Sequence, residues 1–125
     1  MTRPAILVTG GATRIGAAIV TGFAEAGWHA VIHYGASADA AEDLAASLPS
    51  AETVQCDLAD TAAATAMIET LAARLPDWRC LVNSASLFEY DGASDLDPAT
   101  YNRAMQVNAL APAAMSQAFL ARASS

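Results

Sequence analysis

Thr9-Gly10-Gly11-Ala12-Thr13-Arg14-Ile15-Gly16 is the stretch on which the reading of the fold turns. Ahead of it, Ala5 to Thr9 (AILVT) is a short apolar run without polar alternation, the pattern of a strand buried on both faces. Behind it, from Arg14 onward, Ile15, Ala18, Ile19 and Phe23 recur at three- and four-residue spacing, the helical period, until Gly27 offers a left-handed stop. The stretch therefore predicts strand, glycine turn, helix. Glycines at such a junction let the backbone approach a pyrophosphate, while the free amides and positive dipole end of the helix attract its charge. A glycine-rich turn with no ligand has the same composition; the strand before it and the helix behind it strengthen the ligand-binding reading.

The same unit repeats along the chain. Trp28 to Tyr34 (WHAVIHY) predicts a second strand, and Ser37 the N-cap of a helix running to about Leu48 and closed by Pro49. Glu52 to Cys56 (ETVQC) reads as a weaker third strand. Asp60 can cap a third helix whose Met67, Ile68, Leu71 and Leu75 form one stripe before Pro76, and Cys80 to Asn83 (CLVN) predicts a fourth strand. The polar connection from Ser84 to Leu96 is longer than the others, which makes it a candidate binding loop. Asp97 followed by Pro98 starts a helix that reaches Asn108, and Pro112 requires a kink or a fresh start. The last segment, Pro112 to Ala123, is apolar on nearly every side and expects burial, by more of its own chain or by a partner subunit. Four strand-helix repeats imply an α/β fold with a doubly wound parallel sheet.

Composition limits the function classes. The 125 residues have room for one domain, spanning 1–125, and 54% hydrophobic content is enough to fill its core. A formal charge of -7 and a pI near 4.4 argue against nucleic acid and anionic membrane as partners, both of which are bound through clustered basic residues. Every cationic side chain is an arginine, and there is no lysine. Cys56 and Cys80 form no CxxC pair and have no His-rich neighbourhood, so neither a metal nor a disulfide is expected. The acidic stretch Glu89 to Asp97 reads as a solvated loop face, since Asp91, Asp95 and Asp97 lack the ligand pattern of a calcium loop. The N-terminal apolar run of about five residues is too short for a signal-peptide core or a membrane span, and a soluble cytoplasmic protein is the expectation.

The glycine turn resembles the TGxxxGxG loop of the short-chain dehydrogenase/reductase family, with Thr9, Gly10 and Gly16 in place and Arg14 where the middle glycine usually stands. Its TGxxxRIG form is most similar to the pteridine reductase-like branch. Asp57-Leu58 resembles the pair that contacts the adenine. Asn83-Ser84-Ala85-Ser86 resembles the family's NNAG or NNAS motif, with Ser84 departing from the usual second Asn. Asn108, followed by Pro112, resembles the helix asparagine of the family's Asn-Ser-Tyr-Lys catalytic set. Singly, Asp57 could be a turn residue, Asn83 a strand-end cap and Asn108 a polar residue beside a helix break. Their joint register is what carries the resemblance, which covers essentially the whole chain.

It implies a Rossmann fold, truncated after about four β-α units as the N-terminal half of a subunit, and an NADP(H)-dependent oxidoreductase acting on a small-molecule carbonyl or pterin substrate, as a homo-oligomer. Asn108 is the catalytic-set residue it assigns. The cofactor-binding residues are Gly10, Thr13, Arg14, Ile15, Gly16, His33, Tyr34, Ser37, Asp57, Leu58, Asn83, Ala85 and Ser86. Phe88 stands where pteridine reductases stack an aromatic ring on the pterin, although an aromatic that only covers the loop would read the same.

Charge decides the cofactor. An NAD-selective Rossmann fold usually places Asp or Glu about 20 residues beyond the glycine loop, where it would repel a 2′-phosphate. Here the second strand ends in His33-Tyr34-Gly35-Ala36-Ser37, with no acid, while Arg14 offers a guanidinium and Ser37 a hydroxyl and amide donors. His33 at a strand end is more often an internally bonded residue than a phosphate ligand. In this family a Tyr, assisted by a Lys four residues on, delivers the proton. The residues four after Tyr34, Tyr90 and Tyr101 are Ala38, Ser94 and Met105. The expectation is a piece of a longer reductase that binds cofactor without turnover. Two alternatives stay open: a non-catalytic nucleotide-binding or partner-recruiting module that uses its last helix and unpaired fourth strand, and a flavodoxin-like domain that uses the glycine loop for another phosphate ligand.

Overall fold

A computed structural model describes residues 2–87 and 96–122. Four parallel strands, β1 (Ala5–Thr9), β2 (His29–Tyr34), β3 (Ala51–Gln55) and β4 (Trp78–Asn83), lie in the order β3-β2-β1-β4. β1 aligns with β2 from Ala5 opposite His29 to Val8 opposite Ile32, and with β4 from Ile6 opposite Cys80 to Thr9 opposite Asn83. The helices are α1 (Arg14–Glu25), α2 (Ala38–Ala46), α3 (Thr61–Arg74), α4 (Pro98–Met105) and α5 (Ala111–Arg122). The alternation of β1 distributes its side chains between two cores. Ile6 and Val8 join Val20, Ala24, Ala30, Ile32 and Ala41 on one face; Leu7 joins Val31, Met67, Ile68, Leu71, Trp78 and Met115 on the other. The sheet is thus covered on both sides, the doubly wound Rossmann arrangement that four successive strand-helix units imply.

Several boundaries differ from the periodicity. α1 presents Gly16, Val20 and Ala24 to the sheet, whereas Ile15 is 73% exposed and Ala18 is exposed. Small residues let the helix lie close to the strands, and an apolar count along the sequence does not see that contact. α2 ends at Ala46 because the chain tightens into three-residue turns, Ser47 N–H to Leu44 and Leu48 N–H to Ala45, and the Ser37 side chain makes no capping bond. β3 starts one residue earlier, at Ala51, and ends at Gln55, leaving Cys56 beyond the strand, and β4 starts two residues earlier, at Trp78. Asp60 and Asp97 cap as expected, accepting from the amides of Ala63 and Ala99. Around Pro112 the helical path changes its bonding pattern, α4 ending at Met105 and α5 beginning at Ala111. A π turn over Gln106–Leu110 joins α4 to α5, with Ala111 N–H bonding back to Gln106. A π turn shifts the helical register by one residue and accommodates a break in the bonding ladder.

The last helix divides in two. Ala111 and Met115 are buried against α3 and the sheet, and Trp78, itself fully buried, meets Phe119 edge-on with ring centroids 4.7 Å apart. Leu120, on the same helix, is 82% exposed. No helix among the described residues is long and apolar enough to cross a membrane.

Candidate functional site

The C-terminal ends of all four strands open into one cleft of about 620 Å³. Its floor is the turn after β1, its sides the segments after β2, β3 and β4, and its rim α4. This is the crevice at the point where strand order reverses, β1 beside β4, at which parallel α/β sheets bind ligands.

The turn has a geometry that glycine makes possible. Gly10 sits at φ +61, and a Cβ there would lie 2.9 Å from the Ala85 Cα; a Cβ on Gly16 would lie 2.1 Å from the Gly10 carbonyl oxygen. The loop is therefore pressed against the β4 loop on one side and against the start of α1 on the other. Thr13, the N-cap of α1, makes no side-chain capping bond, and no acid occupies the first turn, so the helix's leading amides are left to a ligand or to water. Thr9 fastens the floor to the wall. Its buried hydroxyl oxygen accepts from the amides of Ser84 and Ala85, both at 3.1 Å.

Arg14 has φ +53, the left-handed region that disfavours a side chain, and among the described residues no protein partner is found for its guanidinium. Arg3, Arg74, Arg79, Arg103 and Arg122 all have partners: the Gly27 carbonyl, Glu52, Asp77, Asp57 and Glu69. The pair between Arg103 and Asp57 spans the cleft at 3.8 Å. In a chain of net charge -7, the cleft thus carries two arginines against one carboxylate among its described lining, an anion-attracting pocket in an acidic surface.

Most of the residues expected to bind cofactor converge. Gly10, Thr13, Arg14, Ile15, Gly16, His33, Asp57, Leu58, Ala85 and Ser86 line the cleft. Tyr34, Ser37 and Asn83 are not among its lining residues. Tyr34 packs toward the α1/α2 core, and the Asn83 amide donates to the Ser116 hydroxyl at 3.2 Å on α5, tying strand to helix. His33 is 3% exposed and both ring nitrogens bond to protein, so the imidazole has no N–H to offer a phosphate. Phe88 lies outside the described residues. Asn108 is held by its side chain, accepting from Leu87 N–H at 2.7 Å and donating to the Leu87 carbonyl at 2.9 Å, so it braces the β4 loop against the π turn. Pro112, four residues on, has no amide to give the Asn108 carbonyl. The lining residues not anticipated are Gly35, Cys56, Ser84, Leu87, Arg103 and Val107. Of these Ser84 stood inside the Asn83-Ser84-Ala85-Ser86 motif, and Arg103 is a lone cation five residues before Asn108.

A dinucleotide fits this cleft on three counts: a floor closed to any side chain at position 16, an uncapped helix start, and a cationic lining with no acid at the end of β2. The sequence profile of short chain dehydrogenases matches residues 4–124. The chain belongs to the short-chain dehydrogenase family.

No curated protein sequence matches the chain, but solved structures do. A short-chain dehydrogenase/reductase from Serratia marcescens superposes with a TM-score of 0.90 at 28% identity, covering 98% of this chain and 51% of that one. The FolM alternative dihydrofolate reductase 1 of Brucella canis, solved with NADP, gives 0.86 at 33% identity over 95% of this chain and 49% of its own. A blue fluorescent protein from a metagenomic library, in complex with NADPH, gives 0.89 at 30% identity over 98% and 52%. The chain spans about half the length of these proteins.

Proposed function

We propose that this chain is the NADP(H)-holding part of a short-chain reductase that reduces a carbonyl or a pterin C=N bond. The observation that carries the cofactor choice is Arg14: a cation on left-handed backbone, without a protein partner among the described residues, beside a β2 end that has no acid. A non-glycine residue is held at such a φ only when its surroundings over-determine it, which supports a working role for the side chain. The NADP and NADPH found in the FolM protein and the metagenomic protein agree with this reading.

The leading amides of α1, with Gly10 to Gly16 beneath, would hold the pyrophosphate, and Arg14 would pair with the 2′-phosphate, which an acid at the end of β2 would repel. Asp57 and Leu58 would hold the adenine end, and Ala85 and Ser86 would border the path toward the reacting end. When bound, the reduced cofactor supplies a hydride. Asn108, fixed to Leu87 through its side chain, holds the β4 loop, and its own carbonyl, to which Pro112 cannot donate, would help to hold a proton-relay water. Phe88 is proposed to flank the substrate. With no lysine in its sequence, the chain lacks the Tyr-Lys pair for proton delivery, and these 125 residues are proposed to bind cofactor without turnover. Cytoplasmic location and self-association through the exposed apolar side chains of α4 and α5 belong to the same reading.

Calorimetric titration of the chain with NADPH and NADH tests it. Tighter binding of NADPH is expected, and Arg14→Ala should erase the difference; equal affinities in the unsubstituted chain, or an unchanged ratio in the variant, would overturn the cofactor assignment. A second reading, a module that recruits a partner and does no chemistry, is favoured by β4 standing at the edge of the sheet with no further strand beside it among the described residues. Oxidation of NADPH with dihydropterin or a simple diketone by this chain would exclude it and would also overturn the absence of turnover proposed above.

A further inference from the structure

We propose that His33 is a positioning residue of the cofactor cleft, a neutral clamp that ties the peptide of Gly10 to the peptide of Cys56 and so sets the pyrophosphate end and the adenine end of the site in one fixed relation. The inference rests on the cofactor reading above and goes beyond it by assigning the group that shapes the cleft without touching the ligand's charge.

Two contacts define the clamp. Gly10 N–H donates to His33 Nδ1 at 3.0 Å, and His33 Nε2 lies 2.8 Å from the Cys56 carbonyl oxygen. An amide only donates and a carbonyl only accepts, so the first contact requires a bare Nδ1 and the second a protonated Nε2. One species satisfies both, the neutral Nε2–H tautomer. The same residue's backbone takes the next amide of the loop, with Gly11 N–H donating to the His33 carbonyl at 3.0 Å. Two consecutive amides of the glycine turn are thereby turned toward β2, and the amides left for a pyrophosphate are those at the start of α1. At the other end, Cys56 leads directly into Asp57 and Leu58, the adenine-side lining.

The environment keeps the clamp neutral. The ring is 3% exposed. Burial pulls the imidazole pKa below its ordinary value, and the bond to the Cys56 carbonyl only partly opposes this. The ionisable groups that line the cleft with it are Arg14 of the turn, Cys56 and Asp57 after β3, and Arg103 of α4, with Tyr34 next to it on β2. Burial, then the Asp57 and Asp60 charges, push the Cys56 thiol upward, so it too stays uncharged. Protonation of His33 would set an Nδ1–H against the Gly10 N–H, two donors face to face, and the glycine turn would have to move. An aliphatic residue at 33 would fill the volume and leave the Gly10 amide and the Cys56 carbonyl without this partner.

The test uses three variants and two readouts on the 125-residue chain. In the unsubstituted chain, long-range proton-nitrogen NMR should show His33 as the Nε2–H tautomer. His33→Asn, whose carboxamide oxygen stands near the former Nδ1, should retain the Gly10 bond and most NADPH affinity. His33→Phe should weaken NADPH binding on the order of tenfold or more, the effect of losing buried hydrogen bonds in a preformed site. His33→Gln, reaching toward Cys56 instead, should fall between them. As pH is lowered, NADPH affinity and the Gly10 amide shift should change together with His33 titration, and that component should be missing in His33→Asn. An Nδ1–H tautomer, or His33→Phe binding NADPH as tightly as the unsubstituted chain, overturns the clamp. Should the unsubstituted chain bind no NADPH, the cofactor reading fails, while the tautomer and the Gly10 amide still decide the clamp; if His33→Phe does not fold, the Asn and Gln variants carry the affinity test.

Discussion

Arg14 and Gly16 mark two opposite constraints within three residues. At Arg14 the backbone adopts φ +53, for which glycine would be easier, and keeps an arginine; at Gly16 a Cβ would stand 2.1 Å from a carbonyl oxygen, and glycine is the residue that fits. Replacing each in turn separates strain from function. Arg14→Gly removes the left-handed penalty and adds chain entropy to the unfolded state, two effects of about 1 kcal/mol that oppose each other. Thermal stability should therefore change little while NADPH affinity falls roughly tenfold or more, the loss of a charge-assisted contact. Gly16→Ala should do the reverse at the first step. It forces the turn apart, with a destabilisation on the order of 1–3 kcal/mol as for overpacked sites, and cofactor binding is lost with it. Denaturant unfolding with and without NADPH reads both.

At the scale of elements, β2, β3 and α3 are joined at the end of the sheet opposite the cleft by Glu52. Its carboxylate bonds Arg74 of α3 through both oxygens and accepts from His29 Nε2 of β2 at 2.6 Å. Burial alone would raise the Glu52 pKa, but the bonds from Arg74 and His29, and then their charges, outweigh it and hold the carboxyl below its ordinary value of 4.5. A depressed carboxylate pKa stabilises the fold above the unfolded value, and the contribution disappears as pH falls through the folded value. Stability should thus decline below pH 4.5, and Glu52→Gln should remove that part of the slope; urea unfolding across the acid range measures it. Partial exposure of Glu52 and Arg74 keeps the effect modest. The other junction is apolar. Phe119 against Trp78 docks α5 onto β4, and Phe119→Ala should cost about 3 kcal/mol and shift the emission of Trp78 to the red, read in a Trp28→Phe background so that one indole reports.

Over the whole molecule, charge and apolar surface are arranged for different partners. The net charge of -7 keeps the surface acidic while the cleft gathers two arginines, so anions are drawn to one place. Tyr101, Met105, Leu110 and Leu120 stay exposed along α4, the π turn and α5, more large apolar area than a solitary helix pair needs. Self-association is the expected outcome: sedimentation velocity in the micromolar range should show species above 12.8 kDa, and Leu120→Glu should shift them toward the monomer. A monomer at every concentration would count against it.

Local patterns along the chain were enough to establish the strand-helix alternation, the caps at Asp60 and Asp97, the α3 stripe and most of the cleft lining, because these depend on neighbours three to five residues away or on a motif contiguous in sequence. Of the inward face of α1, Ile19 and Phe23 were legible but Gly16, Val20 and Ala24 were not, since their close approach depends on strands far along the chain. Nor was the turning of Asn83 toward Ser116, the Arg103–Asp57 pair across the cleft, or the choice of His33 between a ligand and a clamp. Each of these joins segments separated by more than 20 residues, and only the packed sheet brings their hydrogen-bonding groups within 3 to 4 Å of one another. The sequence by itself determined which chemistry the chain carries; the tertiary structure decided which of those groups face the cleft and which are used to hold it open, because hydrogen-bond partners are assigned by proximity in space and not by order in the chain.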